Sequence, residues 1–408
     1  MRTRAIPLTL IVVGALLVSA CESAQQTGSP GAGSPTAAGA TSTPGTGTPG
    51  TGTPGTGTGS PGIATGSPGI ATGSPGTATG SPGTGSPVPS GSILADVQAR
   101  GSLICGVHTG LPGFGFPEEG TGRFLGFDAD FCRAIAAAVL GDPEAVEFRP
   151  LIADDRPTAL QTRAIDVLSR NTTWTVTRDA DWGLFAPTTF YDGQGMMVRA
   201  SSGVTQLSDF VGGNPTICVQ SGTTTEQNLA DAMAAANVQY TPSTGDSDFT
   251  YSEYNAGNCD AVSSDRSQLI AQRTALTNPA DHVILDAVMS KEPLGPVVPH
   301  GDVRWFNIVK WVVFGTIAAE ELGITQANVE QLRDTSQDVN VLRLLGVQDN
   351  LGAKLGLVDG WAVNVIKAVG NYGEIYNRNL GPDTIFDLPR GVNDLWTNGG
   401  LLYSPPYK

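Results

Sequence analysis

The chain has 408 residues, 38 acidic against 23 basic, and a formal net charge of −15. That balance lacks the basic footprint of a protein that binds nucleic acid or an anionic membrane surface, so both partner classes are disfavoured. The length allows two domains, or one large two-lobed body, beside any terminal extension.

The opening residues run "MRTR", then the apolar "IPLTLIVVGALLV", then "SAC". A charged start, a short apolar run and small residues predict an export signal over 1–20, too short for a comfortable transmembrane span. "VSAC" at 18–21 also resembles the bacterial lipoprotein cleavage box, which makes Cys21 a lipid-bearing first residue of the mature protein. From Ser23 to Ser92 no residue is charged or aromatic, and a seven-residue unit recurs as "GSPGIAT" at 59–65 and 66–72 and "GSPGTAT" at 73–79. Such a stretch cannot bury enough apolar area to offset its ordering entropy, so 21–92 is predicted to be a lipid-anchored, disordered tether. At roughly 5–6 Å × √n its reach is about 40–50 Å.

The body therefore begins at Ile93. "SLICGVH" predicts a strand, "GFDADFCRAIAAAVLG" a helix with one buried face, and "AVEFRPL" a second strand. "PTALQTR" reads as a short helix with Pro157 in its first turn, and "AIDVLS" as a third strand. Strand and helix in alternation imply a parallel sheet whose ligands collect at the carboxyl ends of its strands. Directly after the third strand comes "RNTTWTVTRD", rich in hydroxyls and carrying Arg178.

A second unit repeats the pattern with "TICVQ", "TTTEQNLADAMAAAN", "VQYTP", "CDAVSS", "SQLIAQRTAL" and "HVILD". It is flanked by "GQGMMVR" at 193–199 and "VMSKEPLGPVVP" at 288–299, read as two hinge strands. The predicted architecture is an α/β clamshell: 93–195 as the first part of lobe one, 196–289 as lobe two, and 290–408 as the return to lobe one with the C-terminal tail. The long apolar "WFNIVKWVVFGTIAAEEL" within that return fits a buried core helix better than a membrane span. Four cysteines lie in the body, and in an exported chain they imply two disulfides. The order of the segments favours Cys105 with Cys132 and Cys218 with Cys259. No CxxC spacing supports a metal site.

Three polar spots fall at strand ends. Arg178 can grip a carboxylate through two parallel hydrogen bonds, with Thr173 adding a hydroxyl or amide. "VQSGTTTEQ" opens a helix in which Thr223 and Glu226 have capping-box spacing, and the backbone N–H groups near Thr224 can complete the acid end from the facing lobe. Asp265, in "SSDRSQ", can take an ammonium, although a plain N-cap is its bland reading. A carboxylate and an ammonium on one small carbon make an α-amino acid.

The phrases "GLPGFG", "GFDADFCRAIAAAV", "ALQTRAIDVLSRNTTWTVTRD", "YDGQGMMV", "VQSGTTTEQNLAD", "CDAVSSDRSQLIAQR", "SKEPLGPVV" and "VGNYGEIYNRNLG" occur in one order along nearly all of 93–408. The body thereby resembles the polar and general amino-acid-binding proteins of bacterial ABC uptake systems, most of all the general L-amino-acid-binding subgroup. The resemblance implies that Arg178 binds the α-carboxylate with Thr173, Asn171 and Thr224 beside it, and that Asp265 binds the α-ammonium. It puts Leu111 and Phe114 against the substrate side chain, with Ala153 and Asp154 nearby. Aliphatic residues where the family often stacks an aromatic imply a wide subsite and broad specificity. Pro157 replaces the family's usual aromatic, which leaves Arg156 without a clear role.

These expectations describe an exported, lipid-anchored monomer that closes on an amino acid and delivers it to ABC permease membrane subunits. The rival is an enzyme on the same frame, a small-acid dehydratase or a peptidoglycan-cleaving relative. It lacks support: the chain has three histidines, no HExxH, no GxSxG and no phosphate-cradling glycine loop. No catalytic residue, metal ligand or cofactor is therefore expected. His108, at a strand end near the cleft, is read as either a side-chain-pocket residue or a satisfied structural histidine.

Overall fold

The computed structural model describes residues 91–408. The predicted export signal, Cys21 and the tether as far as residue 90 lie outside the described residues.

The body opens on a helix not read from the sequence, Ile93–Arg100, which buries Ile93, Leu94 and Val97 and ends at Gly101 in the left-handed conformation. The first sheet has the strand order Val146–Leu151, Leu103–His108, Val167–Leu168, Val297–Val298, Leu184–Phe185. Its first three strands are parallel, as expected from the alternation of strands and helices. Val297–Val298 returns antiparallel to both of its neighbours, so the sheet is mixed. The predicted strand "AIDVLS" shrinks to Val167–Leu168. Asp166 instead turns its carboxylate to the backbone N–H of Ile104 at 2.7 Å and to Arg100, tying the first helix to the sheet.

The first-lobe core forms between the helices Phe127–Leu140 and Val303–Glu321 and the sheet. Trp305, Ile308, Val309, Val312 and Val313 of the longer helix are buried, which accounts for its apolar run. Among the described residues no helix is long and apolar enough to cross a membrane.

The second sheet runs His282–Ile284, Phe190–Arg199, Ala261–Asp265, Thr216–Gln220, Thr241–Gly245. Alternation along Phe190–Arg199 sends Met196 and Val198 into a core on one face and Met197 into a core on the other. Two features differ from expectation. The strand predicted at "VQYTP" lies later, at Thr241–Gly245, because the Val238 N–H caps the preceding helix at Met233 O, 2.9 Å away. A further helix, Ser247–Ala256, starts at Asp246, whose carboxylate accepts from the Phe249 N–H at 2.8 Å, and stops at Gly257.

Two strands cross between the sheets. Phe190–Arg199 begins antiparallel to Lys291–Leu294 and runs on into the second sheet. Cys105 is bonded to Cys132 and Cys218 to Cys259, each bridge inside one lobe.

Candidate functional site

The loop that leaves Val167–Leu168 is held from both sides. The Asn171 N–H donates to Asp128 Oδ2 at 2.8 Å, and the Trp174 N–H donates to the Pro293 carbonyl at 2.8 Å. Thr175 then caps the helix Val176–Asp181, its hydroxyl oxygen accepting from the Arg178 N–H at 3.2 Å. One turn in, the Arg178 side chain folds back to donate to the Thr173 carbonyl at 3.1 Å. Its guanidinium lies 4.7 Å from the Trp182 ring centre, and that of Arg156 lies 5.3 Å from the same ring. Trp182 thus positions two cations through its π face.

From the second lobe, Thr223 caps the helix Thr224–Ala235, accepting from the Glu226 N–H at 3.2 Å, while Glu226 reaches back to the Gly222 N–H at 3.1 Å. Thr224 donates its hydroxyl proton to Glu292 Oε2 at 2.9 Å. Its oxygen is 3.2 Å from the Thr173 hydroxyl, so across the cleft Thr173 is the donor and Thr224 the acceptor. Asp265 stands at the N-cap position of the helix Arg266–Arg273 but makes no side-chain cap bond. Asp192, on a crossing strand, accepts from the Ser267 N–H at 3.2 Å instead. The Asp265 carboxylate is left facing the cleft, with Oδ1 buried and without a hydrogen-bond partner among the described residues.

These residues enclose a cavity of about 20 Å³ lined by Arg156, Arg170 and Arg178, by Asn171 and Thr173, by Gln220, Thr223, Thr224 and Thr225, and by Ser264, Asp265 and Gln268. That is room for about one water. The two walls touch directly: Arg156 donates to the Gly222 carbonyl at 3.2 Å and Asn171 to Gln268 Oε1 at 3.3 Å. A small zwitterion therefore enters only with the lobes apart.

The cleft is electrically polarised. Burial, with Asp192 and Glu292 close by, raises the Asp265 carboxyl well above the usual carboxylate range. Burial pushes Asp192 up to about 6. At the other end, burial and the mutual repulsion of Arg156, Arg170 and Arg178 lower the guanidinium of Arg156, and burial brings Arg170 and Arg178 down to about 10. None of these three arginines lies within 4.0 Å of a carboxylate among the described residues, and neither does Asp265 lie that close to a cation. Charges buried without partners are costly, and a ligand that brings the opposite charges removes that cost.

Of the eight predicted ligand contacts, Asn171, Thr173, Arg178, Thr223, Thr224 and Asp265 line the cavity. Leu111 and Phe114 do not. Both are buried in the first-lobe core, Phe114 edge-on to Phe127 and Phe190 at 6.0 and 5.4 Å. His108 does not line the cavity either. It is fully buried, its Nδ1 accepts from the Gly110 N–H at 3.0 Å, and burial lowers its pKa. Arg156, left without a role by its neighbour Pro157, lines the cavity, and so do Arg170, Gln220 and Gln268. A signal existed for three of the four: Arg170 and Gln220 sit at strand ends like the residues chosen, and Gln268 follows Asp265 by nearly one helical turn.

Among the described residues no group of His, Cys, Asp and Glu could hold a metal ion. The chain matches the profile of the bacterial extracellular solute-binding proteins, family 3, over residues 103–381. It is 49% identical over 323 residues to the general L-amino acid-binding periplasmic protein AapJ of Rhizobium johnstonii, covering 78% of this chain and 94% of that one. It is 48% identical over 321 residues to the glutamate/glutamine/aspartate/asparagine-binding protein BztA of Rhodobacter capsulatus, covering 78% and 94%. Among solved structures, an ABC transporter periplasmic binding protein from Brucella ovis with glutathione bound superposes with a TM-score of 0.75 at 45% identity, covering 78% of this chain and all of that one. A two-lobed α/β frame whose polar residues meet in the cleft, and a match along most of the described chain, lead to one conclusion: this protein belongs to the bacterial extracellular solute-binding proteins, family 3.

Proposed function

We propose that the protein captures L-α-amino acids outside the cytoplasm and hands them to the membrane subunits of an ABC importer, held at the membrane through Cys21. The observation that carries the reading is the pair of buried, oppositely charged groups facing one cavity from the two lobes, the Arg178 guanidinium and the Asp265 carboxylate. The α-carboxylate docks on Arg178, beside the hydroxyl of Thr173. Closure then brings Asp265 to the ammonium and the start of the helix Thr224–Ala235 to the acid end. A charge pair at ~4 Å is worth about 1 kcal/mol in water and about 4 at an effective dielectric of ~20, so discrimination arises mainly on closing.

The binding roles in the names of AapJ and BztA support this reading over an enzyme on the same frame. The anchor rests on the "VSAC" box alone. The test is a thermal-shift panel of the common L-amino acids. A ligand at 100 times its Kd adds about 2.7 kcal/mol to the folded state, so binders should raise the melting temperature clearly. Arg178→Ala should abolish the shift. Shifts of equal size in the variant would overturn the assignment.

A further inference from the structure

Three guanidiniums enter the cleft, and one α-carboxylate can satisfy only one of them in the two-bond fork geometry. Arg178 takes that role in the proposed function, on which this inference rests. Among the described residues neither of the other two has a carboxylate within 4.0 Å, although the charges of Asp154 and Asp265 lie near Arg156. Arg156 donates to the carbonyls of Ala153 and Gly222 at 2.8 and 3.2 Å and to the Thr172 hydroxyl at 3.4 Å. Arg170 donates to the Leu151 carbonyl at 2.8 Å, and its Nη2 is buried with no hydrogen-bond partner among the described residues. Both arginines are about 2% exposed. Asp128, whose charge lies near Arg170, is engaged with the Asn171 N–H and is pushed up to about 7 by burial, so at neutral pH it offers a divided counter-charge.

The remaining orphan polar atoms of the cavity wall show the same bias. Three are donors, Arg170 Nη2, Gln220 Nε2 and Gln268 Nε2, against two acceptors, Asn171 Oδ1 and Asp265 Oδ1. An ammonium can use the two acceptors. The donors call for acceptor oxygens, and the two spare guanidiniums call for more negative charge than one α-carboxylate brings.

We infer that Arg156 and Arg170 form a second anion subsite in the cleft, and that the preferred ligands are α-amino acids bearing a second carboxylate. An amide side chain of the same shape supplies one acceptor oxygen but no charge, and its NH₂ would face cations that have no lone pair to offer. The selection is therefore of acid over amide. The shared chemistry admits a free dicarboxylic amino acid or a γ-glutamyl peptide.

Isothermal titration of the intact protein with L-glutamate, L-glutamine and glutathione tests this. L-glutamate or glutathione should bind at least about tenfold tighter than L-glutamine, the order of discrimination a charged subsite gives. The tighter of the two identifies the free amino acid or the peptide as the source of the second carboxylate. Arg156→Met and Arg170→Met should each bring the ratio of carboxylate to L-glutamine affinity below about threefold, whatever the overall affinity of the variant. Equal affinity for L-glutamine and both carboxylate ligands in the parent would overturn the inference and leave the amino-acid reading standing. A preference that survives both substitutions would also overturn it. Should either variant fail to fold by circular dichroism, the ratio in the parent decides. Failure of every L-amino acid to bind would instead remove the amino-acid reading itself.

Discussion

Asp265 shows how a residue proposed to bind the ligand is held at a cost to the fold. Its carboxyl is raised well above the usual range by burial beside Asp192 and Glu292, so the folded chain holds a proton that the unfolded chain releases at lower pH. The sign follows: the ligand-free protein loses stability as pH rises from the ordinary carboxylate range through the raised value. Asp192, at about 6, and Asp128, at about 7, add in the same direction. Asp265→Asn should therefore melt higher than the parent at pH 8 without ligand, by about 2–4 °C if the gain is near 1 kcal/mol, with the difference shrinking towards pH 5. Calorimetry across that range checks it, and a variant that melts lower at pH 8 would contradict the account. The same titration makes amino-acid binding weaken on acidification, since only the ionised carboxylate takes an ammonium. That Arg178, Asp265 and the threonines face one cavity was legible because they sit at strand ends, where a parallel sheet gathers its polar loops. Arg156 and Arg170 were passed over, although Arg170 also sits at a strand end, because a buried arginine paired with a structural carboxylate looks identical in a sequence to one left free for a ligand.

At the level of elements, the site depends on two loops meeting across the cleft. Gly222 has φ +68°, and a Cβ there would meet Asp154 Oδ1 of the other lobe at 1.7 Å. Gly222→Ala should strain the turn and hold the lobes apart, weakening ligand binding by about tenfold or more and enlarging the radius of gyration in solution scattering with ligand present. Unchanged affinity and an unchanged scattering profile would refute this. Most helices and strands were readable from periodicity and caps. The exceptions have identifiable causes. Ser247–Ala256 buries Thr250, Tyr251 and Tyr254 rather than an aliphatic stripe, so its polar sequence hid its inward face. Val167–Leu168 is short because its flank, Asp166, serves as a bracket to the first helix.

For the whole molecule, each disulfide closes a chain segment inside one lobe, with sequence separations of 27 and 41. By loop entropy the bridge Cys218–Cys259 stabilises by up to about 4 kcal/mol, and it does not span the cleft. Cys218→Ser with Cys259→Ser should therefore lower the melting temperature yet preserve the ligand-induced rise, which a thermal-shift assay with and without ligand would show. Loss of the rise in a folded variant would mean the bridge shapes the site directly. The alternation of most strands and helices, the two crossing strands and the polar strand ends were set by local chemistry, and the linear sequence determined them, while it only favoured the pairing of the cysteines among three possibilities. Which arginines remain without a carboxylate among the described residues, that Leu111 and Phe114 both sink into the core, and which atoms meet across the cleft depend on contacts between segments far apart in the chain. Tertiary packing alone decided those, because burial and charge pairing are properties of neighbours in space.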